Sequence, residues 1–449
     1  MSVNPPARPA AGRLHPAFGW VLAILLTVFA IAPLTYPGFF QAQSGFLPAF
    51  NAEHLSEAPY WGRIPDLLRG EGKLPYLLAW PFLQVSGSGV AAVKWGYGLA
   101  LLLAALAAYA WTRHWLGTRG GLLAAIVYTY LPWHLGTIYV RGAYAEAWLW
   151  VYLPLVLWSI DRLGERRFLA AGIVGLAAAL AALWTQPGLF ALALPLLATY
   201  AGALLPRSRR PLGWIAAALA VCLLVLCIVA RIAPEGNPAS TFQFPYPFQL
   251  FSAAWGDGLS FQLGLAAVGL SLVAAALWLN DRWQGSSRTG GSAPPLNRAL
   301  TFWSISLLLL LLLMLPISAV FWQWIGLDAF VRQPWQLLIF SGLPLAFLSG
   351  SAVRLDRRLA ALPAWAGVVA FVILASYAYL APPTTLVDPG PEPLAMFQPD
   401  ADGVPEILLL DYEIAPPTEI TPTLTLTMTW QAVQPPVEDY TVFVHTLAG

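Results

Sequence analysis

Residues 89–111 read GVAAVKWGYGLALLLAALAAYAW, a long apolar run with a single charge, Lys94. About 20 such residues are what an α-helix needs to cross the hydrocarbon core of a bilayer. The run has many counterparts between Gly19 and Leu380. Across 449 residues, 58% are hydrophobic and 10% charged, where a soluble domain carries about 25% charged. The mean hydropathy of +0.66 agrees. These features predict an all-α polytopic membrane domain of about 11 transmembrane helices.

The expected spans are Gly19–Thr35, Gly89–Trp111, Gly121–Ile138, Ala143–Ile160, Phe168–Leu183, Leu189–Leu205, Leu212–Ala230, Phe261–Leu279, Ala299–Pro316, Gln336–Gly350 and Ala361–Leu380. Their orientation follows from basic residues, 16 of 23 of which fall in six short stretches near Arg8, Arg113, Arg162, Arg207, Arg288 and Arg357. Alternation of these stretches with less basic ones places the N-terminus, 1–18, in the cytoplasm. Outside loops then fall at 36–88, 231–260 and 319–335, and a Gly/Ser/Pro-rich inside linker at 280–298. No Lys or Arg follows Arg358, whereas ten of the 22 acidic residues do, as suits an exported tail. The apolar run near the N-terminus lacks a clean cleavage signal and is read as an anchor span. Cys222 and Cys227 lie in one apolar run, where packing explains them better than a disulfide framework.

After residue 380 the composition changes. A Pro-rich connector covers 381–405, and 406–449 reads as part of an exported β module. ILLLDYEI, TLTLTMTW and YTVFVH have strand character, and TLTLTMTW alternates polar with apolar positions. The expectation is an incomplete β-sandwich-like module. A strong strand directly before Gly449 would leave an open sheet edge, which points to a longer protein or to docking of that edge.

Chemistry concentrates in YTYLPWHLGTIYVRGAYAEAW, 128–148, where Tyr128, Tyr130, His134, Tyr139, Arg141, Tyr144 and Glu146 crowd together. Arg141 and Glu146 have a plain structural reading, as a snorkelling side chain and a carboxylate in the first turn of a helix. The functional reading is an arginine fork held by a carboxylate at a membrane surface, suited to a lipid phosphate. Tyr139 and His134 join that candidate lipid-phosphate set. Aromatic residues of the loops, as in FQFPYPFQLFSAAWGDG and FWQWIGLDAFVRQPW, suit anchoring at headgroup level. The sequence has no GxxxxGK[ST], HExxH or GxSxG, and small basic clusters beside membrane spans exclude nucleic acid as a partner. The histidines, His15, His54, His114, His134 and His445, form no metal-ligand spacing.

YPGFF at 36–40, IPDLLRGEGKLPYLLAWPF at 64–82 and the 128–148 stretch resemble bacterial polytopic membrane proteins related to GT-C-fold glycosyltransferases. That group is often labelled as 6-pyruvoyl-tetrahydropterin synthase-related membrane proteins, although no histidine cluster here supports the pterin wording. TLTLTMTWQAVQPPVEDYTVFVHTLAG at 423–449 resembles the exported module of related proteins. The resemblance implies a bacterial inner-membrane protein that transfers a sugar from a polyprenyl-phosphate donor at the outer face. It also implies an acid in the first outside loop, acting as general base or helping to hold a divalent metal as cofactor. The matching stretch is FFQAQSGFLPAF, 39–50, so Gln43, Ser44 and Gly45 occupy the place of that motif and the acid is missing. Ser44 has no pKa suited to abstracting a proton near neutral pH. Glu53 and Asp66 are the candidate catalytic substitutes, with Glu57 and Glu71 nearby. Two other accounts stand beside transfer. One is a non-catalytic protein that binds lipid-linked glycan or presents a binding β module. The other is a transporter or lipid translocator, which span cores almost free of charge apart from Lys94 disfavour. Sugar and acceptor are not named by any motif.

Overall fold

The structure, a computed structural model, describes residues 16–53, 55, 72–164, 168–204, 239–251, 263–283, 294–325, 327–385, 395–399, 405–415 and 425–432. The chain divides into a helical unit, Met1–Thr384, and a second unit, Thr385–Gly449.

The helical unit holds α1 (Pro16–Ile31), α2 (Leu47–Glu53), α3 (Leu74–Ser86), α4 (Gly89–Thr129), α5 (Pro132–Tyr139), α6 (Tyr144–Gly164), α7 (Phe168–Thr185) and α8 (Pro187–Leu204). It continues with α9 (Leu265–Trp283), α10 (Pro294–Met314), α11 (Ala319–Ile325), α12 (Leu338–Leu355) and α13 (Leu362–Ala375). Six described stretches are long and apolar enough to cross a membrane: Ala17–Thr35, Gly89–Thr129, Pro187–Leu204, Leu265–Trp283, Pro295–Met314 and Pro334–Leu355. The protein is therefore a multi-pass membrane protein, and the expectation of about eleven spans is corrected to six candidates among the described residues.

The difference has physical causes. Helix α4 breaks at Gly117 (φ 73°, ψ −178°), where the backbone doubles back. Thr112 Oγ1 donates to the Gly121 carbonyl across this turn at 3.2 Å. Residues 118–129 then cover only about 18 Å at 1.5 Å per residue, short of a bilayer core of about 30 Å. The expected span Gly121–Ile138 is thus the tail of α4 followed by the short α5. Helix α6 is long enough, but Glu146, Asp161 and Arg162 interrupt its apolar character. The apolar parts of α7 and α13, Leu169–Thr185 and Leu362–Ala375, are too short. The expected span Leu212–Ala230 lies outside the described residues.

Helix α12 is the axis of the unit, buried along its whole length except near its end. It packs against α4, α9 and α10. Its sequence, LIFSGLPLAFLSGSAVRL, supplies small residues that let neighbouring backbones approach. A Cβ on Gly350 would lie 2.5 Å from the Gly120 carbonyl oxygen. Ser349 donates to the Ala267 carbonyl at 2.9 Å, which ties α12 to α9. Asp161, one of two buried acids of α6, accepts from Trp115 Nε1 and the Tyr200 hydroxyl, each at 2.8 Å, and so joins α4, α6 and α8. Lys94 donates to the carbonyls of Tyr36 (2.5 Å) and Gly38 (2.8 Å), fastening the chain that leaves α1.

In the second unit, β1 (Ala395–Pro399), β2 (Pro405–Ala415) and β3 (Thr425–Ala432) form one antiparallel sheet in that order. Ala395 pairs with Leu409 and Pro399 with Pro405. Ile407 pairs with Ala432 and Ala415 with Thr425, with an irregularity at Leu409–Asp411. The expectation of an incomplete β-sandwich-like module is corrected to one three-stranded antiparallel sheet formed by residues 395–399, 405–415 and 425–432. The alternation in TLTMTWQA gives a half-buried face, yet no described residue of β2 or β3 is fully buried. The expected strand YTVFVH lies outside the described residues.

The contact between Gly120 and Gly350 predicts the effect of bulk. Gly350→Leu is expected to destabilise the protein by about 1–3 kcal/mol through overpacking. Gly367→Leu, where an added Cβ meets nothing within 4 Å, serves as the control and should leave the thermal midpoint nearly unchanged. Thermal unfolding of the purified protein in nanodiscs reads both.

Candidate functional site

The first loop returns to the bundle and runs beside the turn between α5 and α6. Gln43 N donates to the Val140 carbonyl (2.8 Å) and Ser44 N to the Arg141 carbonyl (3.1 Å). Ser44 Oγ donates to the Gly142 carbonyl at 3.1 Å. Gly142 has φ +65°, and a Cβ there would fall 2.1 Å from Ser44 Oγ, so the seam needs glycine for both reasons.

This seam forms one wall of a cavity of about 370 Å³, within the size range of small-molecule sites. Gln43, Ser44, Arg141 and Glu146 line it, as do Tyr76, Gln186, Arg332, Gln333, Trp335 and Gln336. The wall carries two guanidinium groups and one carboxylate, and its other polar side chains are amides, hydroxyls and the Trp335 indole.

The carboxylate is fully engaged. Arg141 grips Glu146 with both terminal nitrogens, Nη1 to Oε2 and Nη2 to Oε1, the latter at 2.8 Å. Gln336 Nε2 donates to Glu146 Oε1 at 2.9 Å. The guanidinium also lies over two neighbouring aromatic rings, 5.3 Å from that of Trp133 and 4.8 Å from that of Trp335. Side-chain exposures of 12% for Arg141 and 7% for Glu146 put the pair largely out of water. Gln336 also turns its oxygen to the backbone N–H groups of Arg332 (2.8 Å) and Gln333 (3.2 Å). The pair therefore holds in place the segment that carries Arg332.

The residues singled out in the sequence separate into two places. Arg141, Glu146 and Ser44 meet at the cavity. His134 and Tyr139 do not line it. The His134 ring stacks on Trp150 at 4.2 Å and its Nδ1 lies 2.9 Å from the Tyr128 carbonyl. Tyr139 donates its hydroxyl to the Ala30 carbonyl and packs on Phe40. Glu53 is also away from the cavity, where Oε1 accepts the Gly89 N–H at 2.5 Å and meets the positive end of α4. Asp66, Glu57 and Glu71 lie outside the described residues. The cavity also gathers Gln186, Arg332 and Gln336, none of which the sequence marked as a site residue. Arg332 had a visible signal, a charge within an aromatic-rich loop. The amides had none, since their partners are remote in sequence.

The described residues do not make a site for a divalent metal. The one carboxylate on the wall is bound by Arg141 and Gln336, and no group of three or more His, Cys, Asp or Glu is found among the described residues.

No family model and no curated protein matches the sequence. Among solved structures, the chain is similar to ArnT from Cupriavidus metallidurans bound to undecaprenyl phosphate. Identity there is 16% and the TM-score 0.47, covering 81% of this chain and 70% of that one. It is also similar to the Archaeoglobus fulgidus oligosaccharyltransferase tethered with an acceptor peptide, at 13% identity and a TM-score of 0.42. That match covers 81% of this chain but spans only 55% of the oligosaccharyltransferase. At these scores no residue, ligand or activity passes from either protein to this chain.

Removing half of the buried pair leaves the other charge without its partner, which costs about 3–5 kcal/mol. Glu146→Leu is thus expected to lower stability by that order. The double variant Arg141→Met, Glu146→Leu should recover much of the loss, and thermal unfolding of the single and double variants measures the difference.

Proposed function

We propose that this chain is a GT-C-like integral membrane protein that takes the headgroup of a polyprenyl-phosphate-linked sugar into its cavity at the outer face of the membrane. The observation that carries the reading is the wall itself: Arg141 and Arg332 stand at one cavity beside Ser44, with Glu146 already committed to Arg141. Two guanidinium groups at one cavity suit an anion. Arg141 keeps N–H groups beyond the two that grip Glu146, and Arg332 brings a second guanidinium from another loop. The amide-rich remainder suits a hydroxylated group. The resemblance of 36–40, 64–82 and 128–148 to GT-C-related proteins supports the same ligand class.

Transfer of the sugar needs a base for the acceptor hydroxyl, and Ser44 occupies the place where the resembled family has its acid. Under the transfer reading, Asp66 is the candidate base, because Glu53 is engaged at the start of α4. A second reading, binding without transfer, is favoured by one observation. Glu146 is the only carboxylate among the described residues of the wall, and Arg141 and Gln336 hold it.

Two measurements test this. Equilibrium binding of a short polyprenyl-phosphate-linked hexose to the protein in nanodiscs should be detectable, and Arg332→Gln should weaken it about tenfold. Absence of binding by the unaltered protein would sink the proposal. Turnover in membrane vesicles then separates the readings. Loss with Asp66→Asn identifies a relocated base, whereas loss with Glu53→Gln identifies a different one. Turnover seen only with Ser44→Asp means a donor site without its base. Silence in all variants, with binding intact, establishes the non-catalytic reading.

A further inference from the structure

Gln186 occupies an unusual place in the cavity wall. It is buried, with 6% of its surface exposed, and it lines the cavity. Its side-chain amide makes no hydrogen bond among the described residues, although its backbone is bonded on both sides. The other buried or half-buried amides of the wall are used differently. Gln336 serves Glu146 with its nitrogen and two backbone N–H groups with its oxygen. Gln333 accepts from Gln243 N at 2.7 Å. The Gln186 amide atoms are not among the buried side-chain atoms that lack a partner, so they remain accessible to a ligand. For Gln186 the side open to a partner is the cavity.

Its position is also firmly set. Gln186 lies in TQPG, 185–188, between α7 and α8. Pro187 fixes the backbone at the first turn of α8 and cannot continue α7. Gln186 N donates to the Ala182 carbonyl, and its own carbonyl accepts from Phe190 N, both at 2.9 Å. Next to it, the Thr185 carbonyl accepts from Gly72 N at 2.9 Å. The fixed backbone sets where the amide starts from and burial limits the rotamers open to it, which is what a selective contact requires.

An amide offers a donor and an acceptor but no charge. It is therefore poorly suited to the anion, which the guanidinium groups of the same cavity meet. It matches a hydroxyl, which likewise both donates and accepts. We infer that Gln186 is a specificity-determining residue that favours ligands carrying a hydroxylated ring next to their anionic group over ligands carrying the anion alone. The inference deepens the proposed function and rests on its placement of an anionic headgroup in this cavity. The hydroxylated group has two sources in a membrane: a sugar on a polyprenyl phosphate or the inositol ring of a phospholipid.

The test compares affinities within two pairs of probes, using the full chain in nanodiscs. The first pair is the methyl diester of a short polyprenyl phosphate and the same lipid phosphate carrying glucose. The second is phosphatidylmethanol and phosphatidylinositol, so that both members of each pair carry one negative charge. The unaltered protein should favour the hydroxylated member of the first pair about three- to tenfold, the effect of one good hydrogen bond. Gln186→Leu should bring that ratio close to one. Gln186→Asn, which withdraws the amide by one methylene, should reduce it in part and gives a reading if the leucine variant fails to fold. A preference that appears only in the phosphatidylinositol pair, and is lost in Gln186→Leu, upholds the role of Gln186 and overturns the polyprenyl reading. No preference in either pair, or one that survives Gln186→Leu in a folded protein, overturns the inference.

Discussion

A guanidinium taken out of water needs partners along its edge and over its plane, and Arg141 has partners of both kinds. Glu146 takes the edge, while the guanidinium lies over the rings of Trp133 and Trp335, which pack edge to face beside each other. The pair itself is local, but its remaining partners come from a separate part of the chain, so its surroundings are complete only when several elements have met. Trp133 belongs to α5, Glu146 to the first turn of α6, and Trp335 to the segment leading into α12. Desolvation of the two charges is costly, and the surrounding hydrogen bonds and aromatic faces offset it. The pair thus fixes the relation between the α5–α6 turn and the loop before α12. The cavity is what remains between them.

Much of the chemical class could be read from the chain itself. Composition and apolar runs announce a multi-pass membrane protein, and the five-residue spacing of Arg141 and Glu146 across a helix start permits their meeting. The span count was less legible because hydropathy sees apolar length and not direction. Nothing in the apolar character of 121–138 reveals that the chain reverses at Gly117 or that the helix ends at Thr129. The β region shows a similar limit. Alternation in TLTLTMTW specifies a strand with two unlike faces, but it does not specify a second layer to cover one of them.

The site divides along the same line. Residues near Arg141 in sequence could be nominated, yet proximity did not separate those facing the cavity from those in the packing. His134 and Tyr139 are as close to Arg141 in the chain as Glu146, or nearly so, and both are committed to the interior. Gln336 lies 190 positions from Glu146 and still completes its coordination. Contacts of that kind depend on how helices cross. Small residues such as Gly120 and Gly350 let crossing helices come close enough to bring such groups together.

The seam between the first loop and the α5–α6 turn has a further consequence. Two of its bonds run from backbone amides, Gln43 N and Ser44 N, to backbone carbonyls, and Gly142 contributes no side chain to obstruct them. Its alignment is therefore encoded largely by main-chain groups that every non-proline residue possesses. A loop held in that manner can exchange the chemistry displayed at positions 43 and 44 while keeping its path. Scaffold and reactivity are decoupled at this point in the molecule, which makes it a favourable place to install a new functional group by substitution.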